Sequence, residues 1–187
     1  MPINIDNSEI HQIVERVVHQ VLGTAERGQP SAVSSSTRKI VAVGADHGGY
    51  ELKETLKSDL GTLGFEVMDV GTVSKEAVDY PDFAHAVAQS VGTGKAWRGI
   101  MIDGAGIGSC IVANKVPGVR AGMAYDVSSA INSREHNDTN VLTLGAGLIG
   151  VNLAKQIVKT WLTTEFGGDR HTKRVDKIKA VERQYLK

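Results

Sequence analysis

The sequence predicts an α/β domain, a doubly wound, five-stranded parallel sheet with helices on both faces, preceded by a separate amphipathic helix. Three observations predict it. From Lys39 onward, short apolar runs alternate with longer amphipathic stretches through five strand–helix units. The runs are continuously apolar, as strands covered on both faces must be. A small, polar segment over 23–38 separates everything before it from these units.

The first element is the lone helix. Ile10, Ile13, Val14, Val17, Val18, Val21 and Leu22 recur at helical spacing and form one apolar stripe. Glu9, His11, Gln12, Glu15, Arg16, His19 and Gln20 cover the other face. Asn7 or Ser8 can cap its start and Gly23 ends it. A helix of about 15 residues is marginal in water, so residues 1–22 are expected to dock on a partner surface. Residues 23–38, rich in Ser, Gly and Ala with one Pro, read as a flexible linker, and 39–187 as the main domain.

Within that domain the pattern gives a strand over 39–44, a helix over 51–63, a strand over 65–70 and a helix over 82–91. A strand over 98–103, a helix over 108–115, a strand over 120–124 and a helix over 127–135 follow. The last elements are a strand over 141–145 and helices over 148–163 and 170–183. Buried strands joined through helices make a Rossmann-like sheet, and such sheets bind ligands beyond the carboxyl ends of their strands.

Composition excludes several classes. The 187 residues carry 21 basic and 21 acidic side chains, so no charge excess suits a nucleic-acid groove or an anionic membrane. Aromatics are 5% of the chain, too few for a base-stacking platform. No apolar run approaches the ~18–20 residues of a membrane span. The single cysteine, Cys110, excludes an internal disulfide and suits a reducing cytoplasm. The N-terminal residues lack the pattern of a secretion signal. No metal-ligand set and no cofactor motif stands out.

The chemistry is carried by polar residues where the apolar runs end. The most informative stretch is Gly99-Ile-Met-Ile-Asp103-Gly-Ala-Gly-Ile-Gly108-Ser-Cys110, an apolar strand entering a glycine-rich loop and a helix. Such a loop presents backbone N–H groups at a helix start. Asp103 stands at its mouth, and a carboxylate beside oxyanion donors is machinery for moving protons next to a carbonyl. The same loop also suits an ordinary strand–helix turn. Asp46-His47-Gly48-Gly49 ends the first strand, with Asp46 suited to sugar hydroxyls and His47 to an anion or a proton. Asp79-Tyr80-Pro81-Asp82 follows the second, with the aspartates as helix caps and Tyr80 as the functional residue. Arg134-Glu-His136-Asn137-Asp138 closes a helix, where His136 also suits a C-terminal cap. Arg170 and Arg174 share one face at a helix start, which suits a phosphate or a solvated basic face.

These stretches, together with Gly44-Ala-Asp-His-Gly-Gly-Tyr-Glu-Leu-Lys53 and Ala113-Asn-Lys-Val-Pro-Gly-Val-Arg120, resemble the type B ribose-5-phosphate isomerases and the galactose-6-phosphate isomerase subunits. The resemblance covers residues ~39–184. It implies an aldose–ketose isomerase that works through a cis-enediolate, without metal or nucleotide, in a homodimer or tetramer whose sites lie between subunits. It implies that Asp46, His47 and Tyr80 hold the sugar, that His136 opens its ring and that Asn137 binds a hydroxyl. Loop N–H groups at Gly104, Gly106 and Gly108 would stabilise the enediolate, and Arg170 and Arg174 would grip the phosphate.

The chain departs from the family pattern at four places. Many members carry a cysteine base where this chain has Asp103, which becomes the expected base here; Cys110 reads as a second option, or as a structural thiol. A hydroxyl residue usually stands where Ala105 does. A phosphate-binding arginine usually stands in the turn that here reads Gly145-Ala146-Gly147. Another branch places a glutamate base at the position of Ser109. These changes leave open a non-catalytic or heteromeric member that binds a sugar phosphate or assembles with other proteins. Residues 1–38 in turn resemble the encapsulation peptides of bacterial microcompartment cargo, which dock on shell proteins or other cargo.

Overall fold

The computed structural model describes residues 39–186. The helix and linker expected over 1–38 lie outside the described residues. Five strands, β1 (Ile40–Ala45), β2 (Glu66–Asp69), β3 (Arg98–Asp103), β4 (Ala121–Met123) and β5 (Val141–Gly145), form one parallel sheet in the order β2-β1-β3-β5-β4. Six helices alternate with and follow them: α1 (Tyr50–Thr62), α2 (Tyr80–Gly92), α3 (Ile107–Ala113), α4 (Val127–Asn137), α5 (Val151–Thr163) and α6 (Asp169–Tyr185). The doubly wound parallel sheet is as the alternation predicts.

Two apolar layers sandwich the sheet. Leu52, Leu56 and Leu60 of α1 recur every fourth residue and pack with Ala130 of α4 and Ile157, Trp161 and Leu162 of α5 on one face. Ala84, Val87, Ala88 and Val91 of α2 and Ala113 of α3 cover the other. The three central strands are therefore buried on both sides, which explains their unbroken apolar runs. The edge strand β4 is shorter than the run over 120–124 suggests. Just before it, the Arg120 carbonyl still accepts the Asn140 N–H (3.0 Å), while the Arg120 side chain donates to the Asp138 carbonyl (2.8 Å) and carboxylate (2.7 Å).

Two helix starts also differ from the sequence pattern. α2 begins at Tyr80, two residues earlier than expected, because Pro81 fits the first turn, where its missing N–H has no intrahelical partner. Asp79 occupies the cap position, yet its side chain makes no capping bond. α5 begins at Val151, since Gly150 is extended.

Beyond the carboxyl end of the sheet the chain turns tightly. α1 starts directly over the end of β3, so close that a Cβ at Gly49 would lie 2.3 Å from the Ile102 carbonyl oxygen. Only glycine fits there. This packing brings the ends of β1 and β3 together at the point where strand order reverses, the usual ligand crevice of such sheets.

Candidate functional site

Asp46 and His47 follow β1, and Asp103 ends β3, so all three stand at this crevice. Asp46 is buried, and its Oδ1 accepts from the Gly49 N–H at 3.0 Å, which leaves Oδ2 for a ligand hydroxyl. His47 is exposed, and its Nδ1 lies 3.2 Å from both the N–H and the carbonyl oxygen of Val78, so it accepts from the one or donates to the other according to its tautomer. Nε2 makes no hydrogen bond with a described residue. The Nδ1 contact ties down the connection leading to Tyr80. The Tyr80 ring covers the glycine loop, where a Cβ at Gly108 would lie 2.5 Å from it. The small residue at 108 is what lets the tyrosine reach the crevice.

Asp103 is only 4% exposed, and its carboxylate is turned into its own loop. Oδ1 accepts from the N–H groups of Ala105 (2.9 Å) and Gly106, and Oδ2 from the N–H (3.3 Å) and hydroxyl of Ser109. Two donors on each oxygen fill the lone-pair positions of a carboxylate. The sequence presents Asp103 as a free base facing oxyanion donors. In the structure it first organises the loop, and it takes up the Ala105 and Gly106 N–H groups itself. The N–H groups of Ile107 and Gly108, in the first turn of α3, donate to no described residue and stay available for an anion. Gly104 and Gly106 therefore shape the loop, and Ile107 and Gly108 supply its donors. The turn after β5 braces it, with the Ala146 N–H on the Asp103 carbonyl (2.8 Å) and the Gly147 N–H on the Gly104 carbonyl (3.0 Å).

Cys110 does not share this environment. Its thiol is half-buried on the β4 side of α3, with Sγ 3.6 Å from the Ala121 carbonyl oxygen and 3.6 Å from the Asn114 amide nitrogen. Burial pushes the thiol up from its ordinary value, so it stays protonated. The structural reading of Cys110 is the one this geometry favours.

The other sequence-identified residues lie elsewhere. α4 starts beyond the carboxyl end of β4 and runs back along the sheet, so its last turn, with His136 and Asn137, sits near the amino ends of the strands. α5 runs back in the same way, which places the start of α6, with Arg170 and Arg174, at that end too. The Gly167 N–H donates to the Glu135 carbonyl at 2.9 Å and locks the two segments together. There the His136 and His171 rings stack, with centroids 4.2 Å apart and planes 8° from parallel. Arg170 and Arg174 are exposed, and neither forms an ion pair with a described residue.

The structure thus brings together Asp46, His47, Tyr80, Asp103, Gly104, Gly106 and Gly108, and separately His136, Asn137, Arg170 and Arg174. Strands of five to six residues lie between the two groups. At about 3.3 Å per residue that is roughly 17–20 Å, too far for one small ligand to touch both in a single chain. Ser109 and His171 are the residues that sequence reasoning passed over. Ser109 was visible only as the absence of a glutamate, and His171 only as a letter between two arginines. Among the described residues no group of three His, Cys, Asp or Glu side chains is placed to hold a metal. No described helix is long and apolar enough to cross a membrane.

A doubly wound sheet with carboxylate, imidazole and phenol groups and a glycine loop at its switch point defines an α/β enzyme for a small polar ligand. More specifically, the chain belongs to the ribose/galactose isomerase family, whose model matches residues 41–178. Ribose-5-phosphate isomerase B of Escherichia coli is 45% identical over 146 residues, 78% of this chain and 98% of that protein. D-erythrulose-4-phosphate isomerase of Pectobacterium atrosepticum is 42% identical over 145 residues, 77% of this chain and 95% of that protein. The solved ribose-5-phosphate isomerase B of Clostridium thermocellum superposes with a TM-score of 0.77 at 49% identity, covering 79% of this chain and 99% of that one.

Proposed function

We propose that this chain is an aldose–ketose isomerase of a phosphorylated sugar, with ribose 5-phosphate and ribulose 5-phosphate as its substrate pair. We propose further that each site is completed by a second copy. The observation that carries this reading is the division of the site. One end of the sheet holds carboxylate, imidazole and phenol groups, and the other holds two guanidinium groups with no ion pair among the described residues, beside an imidazole. Neither half suffices for a sugar phosphate, and a dimer that faces one end against the other supplies both.

In this reading Asp46, His47 and Tyr80 hold the sugar hydroxyls, and the partner's Arg170 and Arg174 hold the phosphate. The partner's His136 takes the anomeric hydroxyl proton and returns a proton to the ring oxygen, with the partner's Asn137 on a neighbouring hydroxyl. Asp103 then takes the proton from C2 of the open aldose. The electron pair forms the C1–C2 double bond of a cis-enediolate, and its developing charge on O1 meets the Ile107 and Gly108 N–H groups. The O2 hydroxyl proton passes to O1 as the proton on Asp103 is delivered to C1, which yields the ketose. Of the four donors on Asp103, only the Ser109 hydroxyl can rotate; when it turns, one lone pair on Oδ2 is free for the proton.

A second reading has its own support. The saturated Asp103 carboxylate, with Ala105 and Gly147 in place of family polar groups, suits a non-catalytic or heteromeric member that binds a sugar phosphate. Deuterium exchange from solvent into C1 or C2 of pentose and hexose phosphates separates the two, since only an enzyme catalyses it. For the shared site, Asp103→Asn and His136→Ala proteins are inactivated separately and mixed. Recovered activity is expected, because one of the two hybrid sites is intact. No recovery despite proven subunit exchange would put both residues in one chain's site.

The N-terminal 22 residues enter this proposal as a docking helix for a microcompartment shell or cargo protein. The apolar stripe from Ile10 to Leu22 and the polar linker after it support that role. The enzyme would then act in the cytoplasm, enclosed in such a compartment.

A further inference from the structure

We infer that His171 is a positioning residue with two separable tasks: its ring face aligns His136, and its Nε2 aligns the Arg170 guanidinium. The inference rests on the proposed roles of His136 in ring opening and Arg170 in phosphate binding.

The geometry is specific. His171 is buried in the first turn of α6 and lies flat against His136 at 4.2 Å. His136 is held on its edge by the Asn132 side-chain amide, 2.8 Å from Nδ1. Between the amide and the stacked ring, both rotation and tilt of His136 are restricted. On the other side, the Arg170 Nε–H donates to His171 Nε2 at 3.3 Å. That bond needs an unprotonated nitrogen, and the surroundings supply one. Burial, then His136, Arg170 and Arg174, lower the His171 pKa, against the opposing charge of Glu135 on α4. Glu165, on the connection before α6, acts on Arg98 instead. His171 therefore accepts from the arginine at neutral pH and keeps its fork at a fixed angle to the His136 ring.

Two substitutions split the tasks. His171→Phe keeps a flat ring for His136 and removes the acceptor for Arg170. His171→Gln keeps an acceptor and removes the ring. The aldose enters as a closed ring, so a fault at His136 slows a step of its turnover and leaves phosphate binding alone. For His171→Gln, kcat with the aldose is expected to fall about tenfold with KM changed less than about threefold, and kcat/KM falls by the same factor in both directions because a catalyst leaves the equilibrium constant unchanged. For His171→Phe, KM for the phosphorylated sugar is expected to rise about tenfold with kcat held. Independently of turnover, the ring-current shift of the His136 Hε1 proton in NMR should persist in His171→Phe and collapse in His171→Gln. Equal losses in both variants, or an unchanged His136 signal in His171→Gln, would overturn the inference. His136→Ala is the control for the underlying reading: if it leaves the aldose direction intact, ring opening by His136 is wrong, whereas the NMR result still decides the stacking.

Discussion

Replacing Asp103 by asparagine tests both of its roles at once. The carboxylate accepts from Ala105 and Gly106 on one oxygen and from the N–H and hydroxyl of Ser109 on the other. Asparagine has one carbonyl oxygen to offer. Placed toward Ala105 and Gly106, it keeps two bonds, and the Ser109 hydroxyl can turn to accept from the new amide. The Ser109 N–H then faces another donor. One buried, orphaned N–H costs about 1–3 kcal/mol. At about 2–4 °C per kcal/mol for a domain of this size, the melting temperature should fall by roughly 2–12 °C. Loss of the proton acceptor should lower turnover by at least ~10²-fold, measured well below the melting transition. Ser109→Ala is the companion. It removes one donor for about 1 kcal/mol and frees a lone pair on Oδ2, so turnover should stay within about threefold of the parent. A folded Asp103→Asn protein with near-parental isotope exchange would reduce Asp103 to a loop organiser. A Ser109→Ala protein as inactive as Asp103→Asn would remove the rotating hydroxyl from the mechanism.

Three further outcomes are expected. Gly147→Arg should tighten binding of a phosphorylated sugar about tenfold or more relative to its unphosphorylated analogue, as one charge-assisted contact would, and an equal effect on both ligands would show that phosphate does not lie there. Lys53→Met removes a fully buried cation that bonds both Asp69 oxygens at 2.7 Å, at less than the ~3–5 kcal/mol of a fully orphaned buried charge because Lys57 stays. Burial pushes the Asp69 carboxyl up, but Lys53, Lys57 and the Gly71 N–H outweigh it, so Asp69 stabilises the fold above its unfolded pKa of ~4 and loses this as pH falls through the lower folded value. Acid unfolding of Lys53→Met should therefore show a flatter pH dependence than the parent, and a parallel curve would contradict the pairing. Removing residues 1–38 should leave melting temperature and activity unchanged, while their fusion to a fluorescent protein should enter microcompartments in a host that makes the matching shell; a diffuse fusion refutes the targeting role.

Much of this architecture is written in the chain. The unbroken apolar runs at β1, β3 and β5 mark strands covered on both faces, and the leucine spacing of α1 marks its buried side. The edge strand β4 was less legible, because half-exposed residues carry less pattern. Site residue types were legible too, but their grouping was not. Read along the chain, His136 looks like another residue at the crevice. In three dimensions every helix after a strand returns to the amino end, so His136 and Arg170 must sit opposite Asp103. The Asp103–Ser109 contact was hidden for a different reason. It depends on the loop curling back within six residues, a matter of turn geometry rather than residue pattern.

An aspartate at 103 also changes what the glycine loop can do. A thiol is a weak acceptor and leaves the loop N–H groups to a ligand. A carboxylate captures them, here those of Ala105, Gly106 and Ser109, so only Ile107 and Gly108 remain to meet an enediolate. The same substitution adds a buried negative charge, while Gly147 stands where the family pattern has an arginine. Both changes have one sign. Each makes the crevice less favourable to an anion, and with little solvent at Asp103 the effect is weakly screened. On the proposed reading, the phosphate then depends more on Arg170 and Arg174 of the second copy than it does in the family pattern. Loss of the second copy should consequently weaken substrate binding here more severely than in relatives that keep the third arginine. On the proposed reading, such a site ties its affinity to its assembly.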